Sequence, residues 1–553
     1  MLGLTFTDFT VNYRTHTENG PGQLTAVDGV TLQIPPGSTV GLAGESGCGK
    51  STLAMSVLRL LPANATLSGS VKLGDDDIGE LSWGKLRAVR WTQASIVFQG
   101  AMHSLNPVRK VAEQIAEPLL IHAKQLDSKY REDSARQARV KELLELVDLP
   151  VSKGASYPHE LSGGQKQRVM IAMALACDPE LIIADEPTTA LDVVVQAQVL
   201  NVLKELVTSR HLSLVMISHD LSVLAATCER IVVMQHGKIV EDGPSAEVMK
   251  HPQHPHTQAL ASAFPLIGDP ASRRKLPGYS APPTSEEDAN RETVLEAKNL
   301  SVIFGGRGTV RAVNKVDLSC KQGEIVALVG QSGSGKTTLA RTLLGLQRPT
   351  QGEVLFRGQP LDHHRKALKA YRKSVQFVLQ DPSAALNPKH SVYEAVAEGP
   401  RLHRLPGDER EIVGAALRKA ELHPAERYFS AIPQELSGGQ RQRVVIAGAL
   451  ALDPEFLVAD EPVASLDASV RAEILALLLR LRCELGLGAL VITHDLGLAW
   501  NIADRVVVMY QGEIVEQGAV EDVLLNPQHE YTRTLLSVVP TNNTMRTSDS
   551  DLL

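Results

Sequence analysis

The chain carries one ordered set of short motifs twice within its 553 residues. A glycine-rich octapeptide at 44–51 returns at 330–337, and a Leu-Ser-Gly-Gly-Gln pentapeptide at 161–165 returns at 436–440. Between and after them a glutamine, an Asp-Glu-Pro tripeptide and a His-Asp pair also recur in the same order. Repeats so far apart indicate a duplicated domain rather than a short-period solenoid.

Prolines followed by polar acidic residues separate the two copies. This composition is typical of a linker, and the polar end of the chain is typical of a disordered tail. We therefore predict a first domain at 1–267, a linker at 268–293, a second domain at 294–540 and a tail at 541–553.

The charge balance and the cysteines exclude several classes of protein. The 56 Lys and Arg against 63 Asp and Glu give a net charge of −7, without the basic excess of nucleic-acid-binding surfaces. No apolar run approaches the ~18 residues of a transmembrane helix, and the first residues show no signal-peptide pattern. The five cysteines lie far apart, so we expect neither a disulfide framework nor an iron–sulfur cluster. Free thiols without a signal peptide favour the cytoplasm.

Short apolar runs that end in polar residues predict the fold class. Such runs occupy 181–184 and 214–217 in the first copy, and 456–459 and 490–493 in the second. Buried parallel strands are continuously apolar, and ligands bind at their carboxyl ends. The pattern predicts an α/β fold with a parallel sheet in each copy.

The repeated octapeptide matches the phosphate-binding pattern G-x-x-x-x-G-K-[ST]. Its glycines let backbone N–H groups surround phosphate oxygens, its lysine reaches the β- and γ-phosphates, and its hydroxyl binds Mg²⁺. One match alone would also fit a turn that binds nothing, but two matches in aligned repeats do not. The predicted nucleotide-binding residues of these loops are Gly44, Ser46, Gly47, Cys48, Gly49, Lys50, Ser51 and Thr52, and Gly330, Ser332, Gly333, Ser334, Gly335, Lys336, Thr337 and Thr338.

Two adjacent carboxylates follow an apolar run in each copy. Asp185 and Asp460 end these runs, where a carboxylate can join Ser51 or Thr337 in holding Mg²⁺. The next residue, glutamate in both copies, can polarise an attacking water. An isolated Asp-Glu-Pro also fits a simple strand-ending turn, but its pairing with the phosphate loop favours catalysis. The predicted catalytic carboxylates are Glu186 and Glu461.

A histidine and a glutamine complete each predicted site. His219 and His494 follow apolar runs and are predicted to contact the γ-phosphate. Gln99 and Gln380 also follow β-like runs, and a glutamine can bind both water and phosphate and add an oxygen to the Mg²⁺ shell. A lone histidine is more typical of a structural role, and a lone glutamine would indicate nothing. The recurrence of the histidine in both copies of a nucleotide-binding chain favours the functional role.

With the Leu-Ser-Gly-Gly-Gln pentapeptide in both halves, the chain resembles the ATP-binding-cassette ATPases over about residues 1–267 and 294–540. The resemblance implies two tandem P-loop domains. Each has a RecA-like parallel-sheet core, an antiparallel β subdomain and a helical signature subdomain. It also implies that ATP with Mg²⁺ is bound between the phosphate loop of one domain and the signature of the other. The signature residues that follow are Ser162, Gly163, Gly164, Ser437, Gly438 and Gly439.

In that family an aromatic residue upstream of the phosphate loop stacks on adenine. Tyr13 and Phe304 are the candidates here, each in the first strand-like run of its copy. Their spacing to the loop lysine differs, 37 against 32 residues, and a core aromatic is the alternative interpretation.

A tail follows each cassette, at 251–260 and at 526–535. Both tails are similar to the C-terminal extension of peptide and nickel importer ATPases. His251, His254 and His256 also allow a metal site, but the second copy keeps only one of the three histidines, so a turn-forming segment is the favoured interpretation.

The resemblance implies the energy subunit of a bacterial importer of di- or oligopeptides. Its implied partners are two transmembrane permease subunits and an extracytoplasmic binding protein, with no nucleic acid. The chain would lie on the cytoplasmic face of the plasma membrane as a peripheral protein. Glutathione or nickel chelates remain open as substrates, and a twin-cassette sugar importer is a further possibility. A soluble twin-cassette ATPase acting on ribosomes is the rival from another class, although such proteins usually carry a longer, highly charged linker.

Overall fold

The chain folds into two compact units, Met1–Phe264 and Pro265–Leu553. The computed structural model describes residues 2–17, 20–98, 100, 104–189, 191–262, 267–268, 273, 276, 279, 291–305, 309–464, 466–537 and 539. Within these ranges no helix combines the length and the apolar character needed to cross a membrane.

The strands of the first unit form two sheets. They are β1 (Leu4–Thr17), β2 (Gly20–Ile34), β3 (Thr39–Ala43), β4 (Ala65–Leu73), β5 (Asp76–Asp77), β6 (Ala94–Val97), β7 (Leu181–Asp185), β8 (Ser213–Ile217), β9 (Arg230–Gln235) and β10 (Lys238–Pro244). The order β10-β9-β3-β8-β7-β6 makes a six-stranded sheet that is parallel except for its β9–β10 hairpin. The order β2-β1-β4-β5 makes a four-stranded antiparallel sheet.

The middle of the six-stranded sheet is continuously apolar and buried. All five residues of β7 and of β8 are buried, which confirms the strands predicted from their apolar runs. Phe6 of the antiparallel sheet and Ile183 of the parallel sheet belong to one hydrophobic core, together with Leu53 of the helix after β3. That helix is therefore packed into the core where it leaves the sheet.

Helices connect the strands and cover the sheet. They are α1 (Lys50–Ser56), α2 (Trp83–Val89), α3 (Val111–Ile121), α4 (Asp133–Leu146), α5 (Gly163–Ala174), α6 (Val193–Arg210), α7 (Leu221–Thr227), α8 (Ser245–Lys250) and α9 (Pro255–Ser262). Single 3₁₀ turns lie at Ser128–Arg131, Val151–Ala155 and Pro158–Glu160. Between β6 and β7 the chain is helical, as the resemblance implied.

A buried arginine joins the helices of this segment. Arg168 on α5 donates to both the backbone and the carboxylate oxygen of Asp148, each at 2.7 Å, and to Gln198 on α6 at 3.3 Å. In the second unit Arg443 makes the same kind of connection, to Glu421 and Glu473. Neither arginine was singled out by sequence analysis, although both lie in the repeated pentapeptide's helix.

The second unit repeats this architecture. Its strands are β11 (Thr293–Phe304), β12 (Val310–Lys321), β13 (Ile325–Val329), β14 (Gln351–Phe356), β15 (Gln359–Pro360), β16 (Val375–Val378), β17 (Phe456–Asp460), β18 (Gly488–Thr493), β19 (Arg505–Tyr510) and β20 (Glu513–Ala519). Their orders are β16-β17-β18-β13-β19-β20 and β12-β11-β14-β15. The predicted fold class is confirmed in both halves.

The helices of the second unit follow the same plan. They are α10 (Lys336–Leu343), α11 (Arg365–Ser374), α12 (Pro382–Ala385), α13 (Val392–His403), α14 (Glu409–Lys419), α15 (Gly438–Leu450), α16 (Ala468–Leu485), α17 (Leu496–Ile502), α18 (Val520–Leu525) and α19 (Glu530–Ser537), with 3₁₀ turns at Ala425–Tyr428 and Pro433–Glu435.

Residues of the predicted linker contact the second unit. The guanidinium of Arg273 donates to the carbonyl oxygens of Trp500 and Ala503, at 3.3 and 2.7 Å, and pairs with the carboxylate of Glu521. The Tyr279 hydroxyl lies 3.3 Å from the Cys483 thiol. We refer to Arg273, Leu276 and Tyr279 as the docked segment. Most other residues of 268–293, and the predicted tail 541–553, lie outside the described residues, so the predicted domain limits stay a prediction.

Candidate nucleotide sites

Each phosphate loop is a turn between a buried strand and a helix. The loop at 44–49 joins β3 to α1, and the loop at 330–335 joins β13 to α10. Its last residue adopts a left-handed conformation, with φ of 106° at Gly49 and 107° at Gly335. A Cβ at either position would collide with a carbonyl oxygen of the adjacent β-hairpin, so only glycine fits. Because the N–H groups of a helix point toward its N-terminus, those of the first turn face the loop.

The loop lysine is buried and bonded within its own loop. Lys50 Nζ donates to the carbonyl oxygens of Gly44 and Glu45, both at 2.7 Å. Lys336 Nζ makes the equivalent bonds to Gly330 and Gln331, at 2.6 and 2.7 Å. The ammonium group is therefore placed at the centre of the turn in both units.

A hydroxyl and a carboxylate meet beside each loop. Ser51 Oγ donates to Asp185 Oδ1 at 3.1 Å, and Thr337 Oγ1 donates to Asp460 Oδ2 at 3.3 Å. Burial raises the pKa of both aspartates, and the neighbouring glutamate adds to the rise. A hydroxyl with one carboxylate is a donor set that suits Mg²⁺, which commonly completes its shell with phosphate oxygens and water. The residues present therefore fit this ion.

The glutamate after each aspartate has an unusual backbone. Glu186 and Glu461 adopt φ values of 45° and 46°, in the left-handed region that residues with a side chain rarely occupy. Their amides donate to the carbonyl oxygens of Ile217 and Ile492 on the next strand, at 3.0 and 2.9 Å. Backbone strain of this kind is concentrated at functional sites. This backbone conformation directs the side chain of each glutamate away from the strand and toward the histidine.

One carboxylate oxygen of each glutamate meets the predicted histidine. His219 Nδ1 lies 3.4 Å from Glu186 Oε1, and His494 Nδ1 lies 2.9 Å from Glu461 Oε1. Burial alone would raise the pKa of each glutamate, but the histidine contact lowers it overall. Burial alone would lower the pKa of His494, and the Glu461 carboxylate raises it overall.

The second oxygen of the glutamate has a different partner in each unit. Gln380 Nε2 donates to Glu461 Oε2 at 2.7 Å, which brings the predicted glutamine into the second site. In the first site Thr189 Oγ1 donates to Glu186 Oε2 at 2.9 Å. Gln99 lies outside the described residues. Sequence analysis missed Thr189 because the equivalent residue of the second copy is Ala464, so no repeat marks it.

The signature pentapeptide begins a helix in each unit. The Ser162 hydroxyl accepts from the Gln165 amide at 3.3 Å, while the Ser162 amide donates to the Gln165 side chain at 3.1 Å. Ser437 and Gln440 form the same reciprocal capping box, at 3.2 and 2.9 Å. The pentapeptide therefore caps a helix in both units, and both serines are exposed. Gly163, Gly164, Gly438 and Gly439 form the first turn of these helices.

The two aromatic candidates occupy equivalent positions in the sheets. Val11 pairs with Val27 and Val302 pairs with Val313, and each of these partners stands 23 residues before the loop lysine. Tyr13 precedes Val27 by 14 residues and Phe304 precedes Val313 by nine. This difference of five explains the unequal spacing of 37 and 32. The Tyr13 hydroxyl lies 3.3 Å from Thr52 Oγ1, beside the phosphate loop, and Phe304 is 44% exposed.

The histidines of the first tail form a turn. The Glu241 carboxylate accepts from the amides of Gln253 and His254, both at 2.9 Å, and His254 Nδ1 accepts from the His256 amide at 3.2 Å. Among the described residues no group of three or more His, Cys, Asp or Glu is arranged to hold a metal ion. The geometry favours the turn interpretation.

The sequence of this chain matches models of known protein families. A family model described as ABC transporter matches residues 27–189 and 313–464, which together exceed half of the chain. The chain belongs to the ABC transporter family. A second model, described as the C-terminal region of oligopeptide/dipeptide transporters, matches residues 240–290 and 515–551. The ABC transporter cassettes of this chain thus carry the peptide-transporter extension in both halves.

Curated relatives match over nearly the whole chain. The glutathione import ATP-binding protein GsiA of Escherichia coli O157:H7 is 40% identical over 551 residues, covering 94% of this chain and 87% of that protein. GsiA of Salmonella typhimurium is also 40% identical, over 554 residues with the same coverage. This ABC transporter protein is therefore an ATP-binding subunit of an importer in the oligopeptide/dipeptide family, and its cassettes hydrolyse ATP.

One solved structure covers both ABC transporter cassettes. The archaeal ribosome recycling factor aABCE1, in complex with the ribosomal stalk protein aP1, aligns with a TM-score of 0.60 and 20% identity, over 93% of this chain and 90% of that one. At this identity the likeness shows the fold alone.

Proposed function

We propose that this chain energises the uptake of di- or oligopeptides by a bacterial importer through two composite ATP sites. The observation that carries the proposal is the completeness of both halves. Each unit holds a loop lysine, a hydroxyl–aspartate pair, a glutamate–histidine pair and a capped Ser-Gly-Gly helix start. Each is followed by the peptide-transporter extension.

In this proposal each ATP is held by residues of both cassettes. The loop around Lys50 would face Ser437, Gly438 and Gly439, and the loop around Lys336 would face Ser162, Gly163 and Gly164. The exposure of both signature serines supports this, because helix N-termini bind anions through their free N–H groups. Tyr13 and Phe304 would stack on the adenine rings, which their equivalent sheet positions support.

The residues of each site divide the work of hydrolysis. The loop lysine transfers its hydrogen bonds from loop carbonyls to phosphate oxygens. Ser51 with Asp185, and Thr337 with Asp460, would hold Mg²⁺, with Gln99 and Gln380 contributing to the shell. When bound, Mg²⁺ neutralises charge on the β- and γ-phosphates. The remaining task is to orient the attacking water and to accept its proton. Glu186 and Glu461 perform it, positioned by His219 and His494 respectively.

The proposed partners are two transmembrane permease subunits and an extracytoplasmic binding protein. The chain would be a peripheral protein on the cytoplasmic face of the inner membrane, attached through the permeases. ATP binding would close the cassettes and hydrolysis would release them, and this motion would drive the permeases.

Transport by the assembled complex tests the substrate. The chain would be reconstituted in proteoliposomes with the permeases and the binding protein encoded beside it, and MgATP-dependent uptake of a labelled dipeptide, a labelled tetrapeptide, glutathione and a nickel chelate would be compared. We expect uptake of the two peptides. Uptake of glutathione alone would instead give this chain the substrate named for its relatives, and co-purification with ribosomes but no permease would refute the importer assignment.

A further inference from the structure

The tail of the second unit is hydrogen-bonded to the β19–β20 hairpin, which contacts the phosphate loop. Glu516 on β20 accepts from the amides of Gln528 and His529, at 2.8 and 3.1 Å. The turn of the β19–β20 hairpin contacts the phosphate loop, because the Gly512 amide donates to the Ser334 carbonyl oxygen at 2.9 Å. Helix α19 therefore starts at a fixed distance from the loop.

Tyr531, in the first turn of α19, reaches the phosphate loop directly. Its hydroxyl accepts a hydrogen bond from the backbone amide of Gln331 at 2.8 Å. Its ring stacks on Tyr510 with 4.2 Å between centroids, and the residue is 9% exposed. Gln331 is the second residue of the loop, and its amide shares a peptide unit with the Gly330 carbonyl oxygen, which accepts from Lys336 at 2.6 Å. One peptide unit thus separates the tail from the loop lysine.

The first unit has different residues at both positions. From the pentapeptides at 161 and 436 onward the two copies correspond at an offset of 275, so His256 replaces Tyr531 and Gln235 replaces Tyr510. His256 is 8% exposed, and its Nε2 atom finds no hydrogen-bond partner among the described residues. The first loop therefore lacks the stacked tyrosine pair that fixes the second one.

We propose that Tyr531 is a positioning residue for the second phosphate loop, so that the C-terminal extension sets the affinity of its own cassette for ATP. The residue contacts the loop backbone and acts through the Gly330–Gln331 peptide. Because His256 and Gln235 cannot reproduce the stacked pair, the first site binds MgATP more weakly than the second.

Removal of one hydroxyl tests this role. In the full-length chain, Lys50→Ala would silence the first site, and the dissociation constant of MgATP at the second would be measured by calorimetry with and without Tyr531→Phe. Loss of the hydrogen bond from the Gln331 amide predicts a dissociation constant about fivefold higher. In the chain with both lysines intact, the KM for ATP should rise while kcat changes little.

A matched control is available in the same unit. The Tyr393 hydroxyl donates a hydrogen bond to Glu409 at 2.9 Å, and this bond lies on the helical segment, away from the phosphate loop. Tyr393→Phe should leave the dissociation constant unchanged. An unchanged constant for Tyr531→Phe, or an equal rise for Tyr393→Phe, would overturn the proposal.

The reciprocal change tests the difference between the sites. In a Lys336→Ala background, the double variant His256→Tyr with Gln235→Tyr installs the tyrosine pair in the first unit. We expect MgATP to bind the first site about fivefold more tightly than without the pair. No tightening in a variant with an unchanged melting temperature would refute the claim that the pair distinguishes the two sites.

Discussion

At the scale of single residues, Glu186 and Glu461 each use both carboxylate oxygens as acceptors. The carboxylate oxygens of Glu461 are hydrogen-bonded to His494 and Gln380, and those of Glu186 to His219 and Thr189. A carboxylate held on both sides has a defined orientation, which a base that must meet a single water requires.

Replacing either glutamate by glutamine should keep ATP binding and remove the base. We expect Glu186→Gln and Glu461→Gln each to lower the ATPase rate of the assembled transporter at least tenfold, since general bases contribute roughly 10²–10⁴-fold. Nucleotide affinity, measured in parallel, should stay within about twofold. Full activity of either variant would contradict the assignment of two working sites.

Cys48 should make one site selectively sensitive to bulky thiol reagents. Its Sγ lies 3.6 Å from Lys50 Nζ, so an adduct there would block the phosphates, whereas the second loop has Ser334 at this position. Cys48 is buried, so we expect alkylation to be slow, to inactivate the wild type, to be prevented by MgATP and to spare Cys48→Ser. Cys483→Ser serves as the control, because Cys483 is exposed and lies outside both loops. Equal inactivation of the wild type and Cys48→Ser would contradict the prediction that Cys48 is the sensitive thiol.

The His494–Glu461 pair makes the stability of the second unit depend on pH. Because the folded-state pKa of His494 is raised, its contribution is complete below the ordinary value of 6.5 and is lost as pH rises through the raised pKa. The pKa of Glu461 is lowered, so its contribution is lost only as pH falls below its ordinary value of 4.5. The free energy of unfolding gained over His494→Asn should therefore be larger at pH 6 than at pH 9.

Fluorescence can follow this unit separately. The chain has three tryptophans, and only Trp500, which is fully buried, belongs to the second unit. With Trp83→Phe and Trp91→Phe in place, denaturation at each pH would report on Trp500. A difference that is equal at both pH values, or larger at pH 9, would show that the ion pair does not contribute.

At the scale of elements, the signature helix start combines a structural and a proposed functional role, and two variants separate them. Ser437→Ala and Gln440→Ala each remove half of the capping box, with a cost of about 1 kcal/mol in helix stability. Under the composite-site proposal only Ser437 also meets phosphate. We expect ATPase activity to fall several-fold more in Ser437→Ala than in Gln440→Ala. Equal losses would mean that the serine acts through the cap alone.

Much of each element could be predicted from the sequence, since the forces that form it are local. The strands β7 and β17 are runs of apolar residues that end at a carboxylate, and Ser162 and Ser437 precede helices as capping residues do. The contacts of Tyr531 and Thr189 were not predictable in this way. Tyr531 meets a residue 200 positions away, and the other copy has neither residue, so neither periodicity nor repetition marks them.

At the scale of the whole molecule, the docked segment belongs to the second unit although it precedes the repeat. Arg273 is 16% exposed in its side chain and satisfies two carbonyl oxygens at the end of α17 as well as Glu521. Arg273→Ala should lower the free energy of unfolding of the second unit by about 2 kcal/mol, because charge-assisted bonds at a shielded site are lost.

The same Trp500 fluorescence would measure this loss. Arg291→Ala is the matched control, since the Arg291 guanidinium also donates to a backbone carbonyl oxygen, that of Gly323, at 2.6 Å. We expect a clearly smaller change there. If the two variants were equally stable, the docked segment would add nothing specific to the fold.

The docked segment also determines where a gene encoding this protein can be divided. A split at the start of the second sequence repeat, near residue 293, would leave Arg273, Leu276 and Tyr279 on the wrong polypeptide. A split between residues 262 and 267 would keep all three on the second polypeptide, where Arg273 contacts the end of α17 and Tyr279 contacts α16. Fission into two genes, or exchange of the second cassette between relatives, should therefore succeed more often at the upstream position, about 30 codons before the point that sequence alignment suggests.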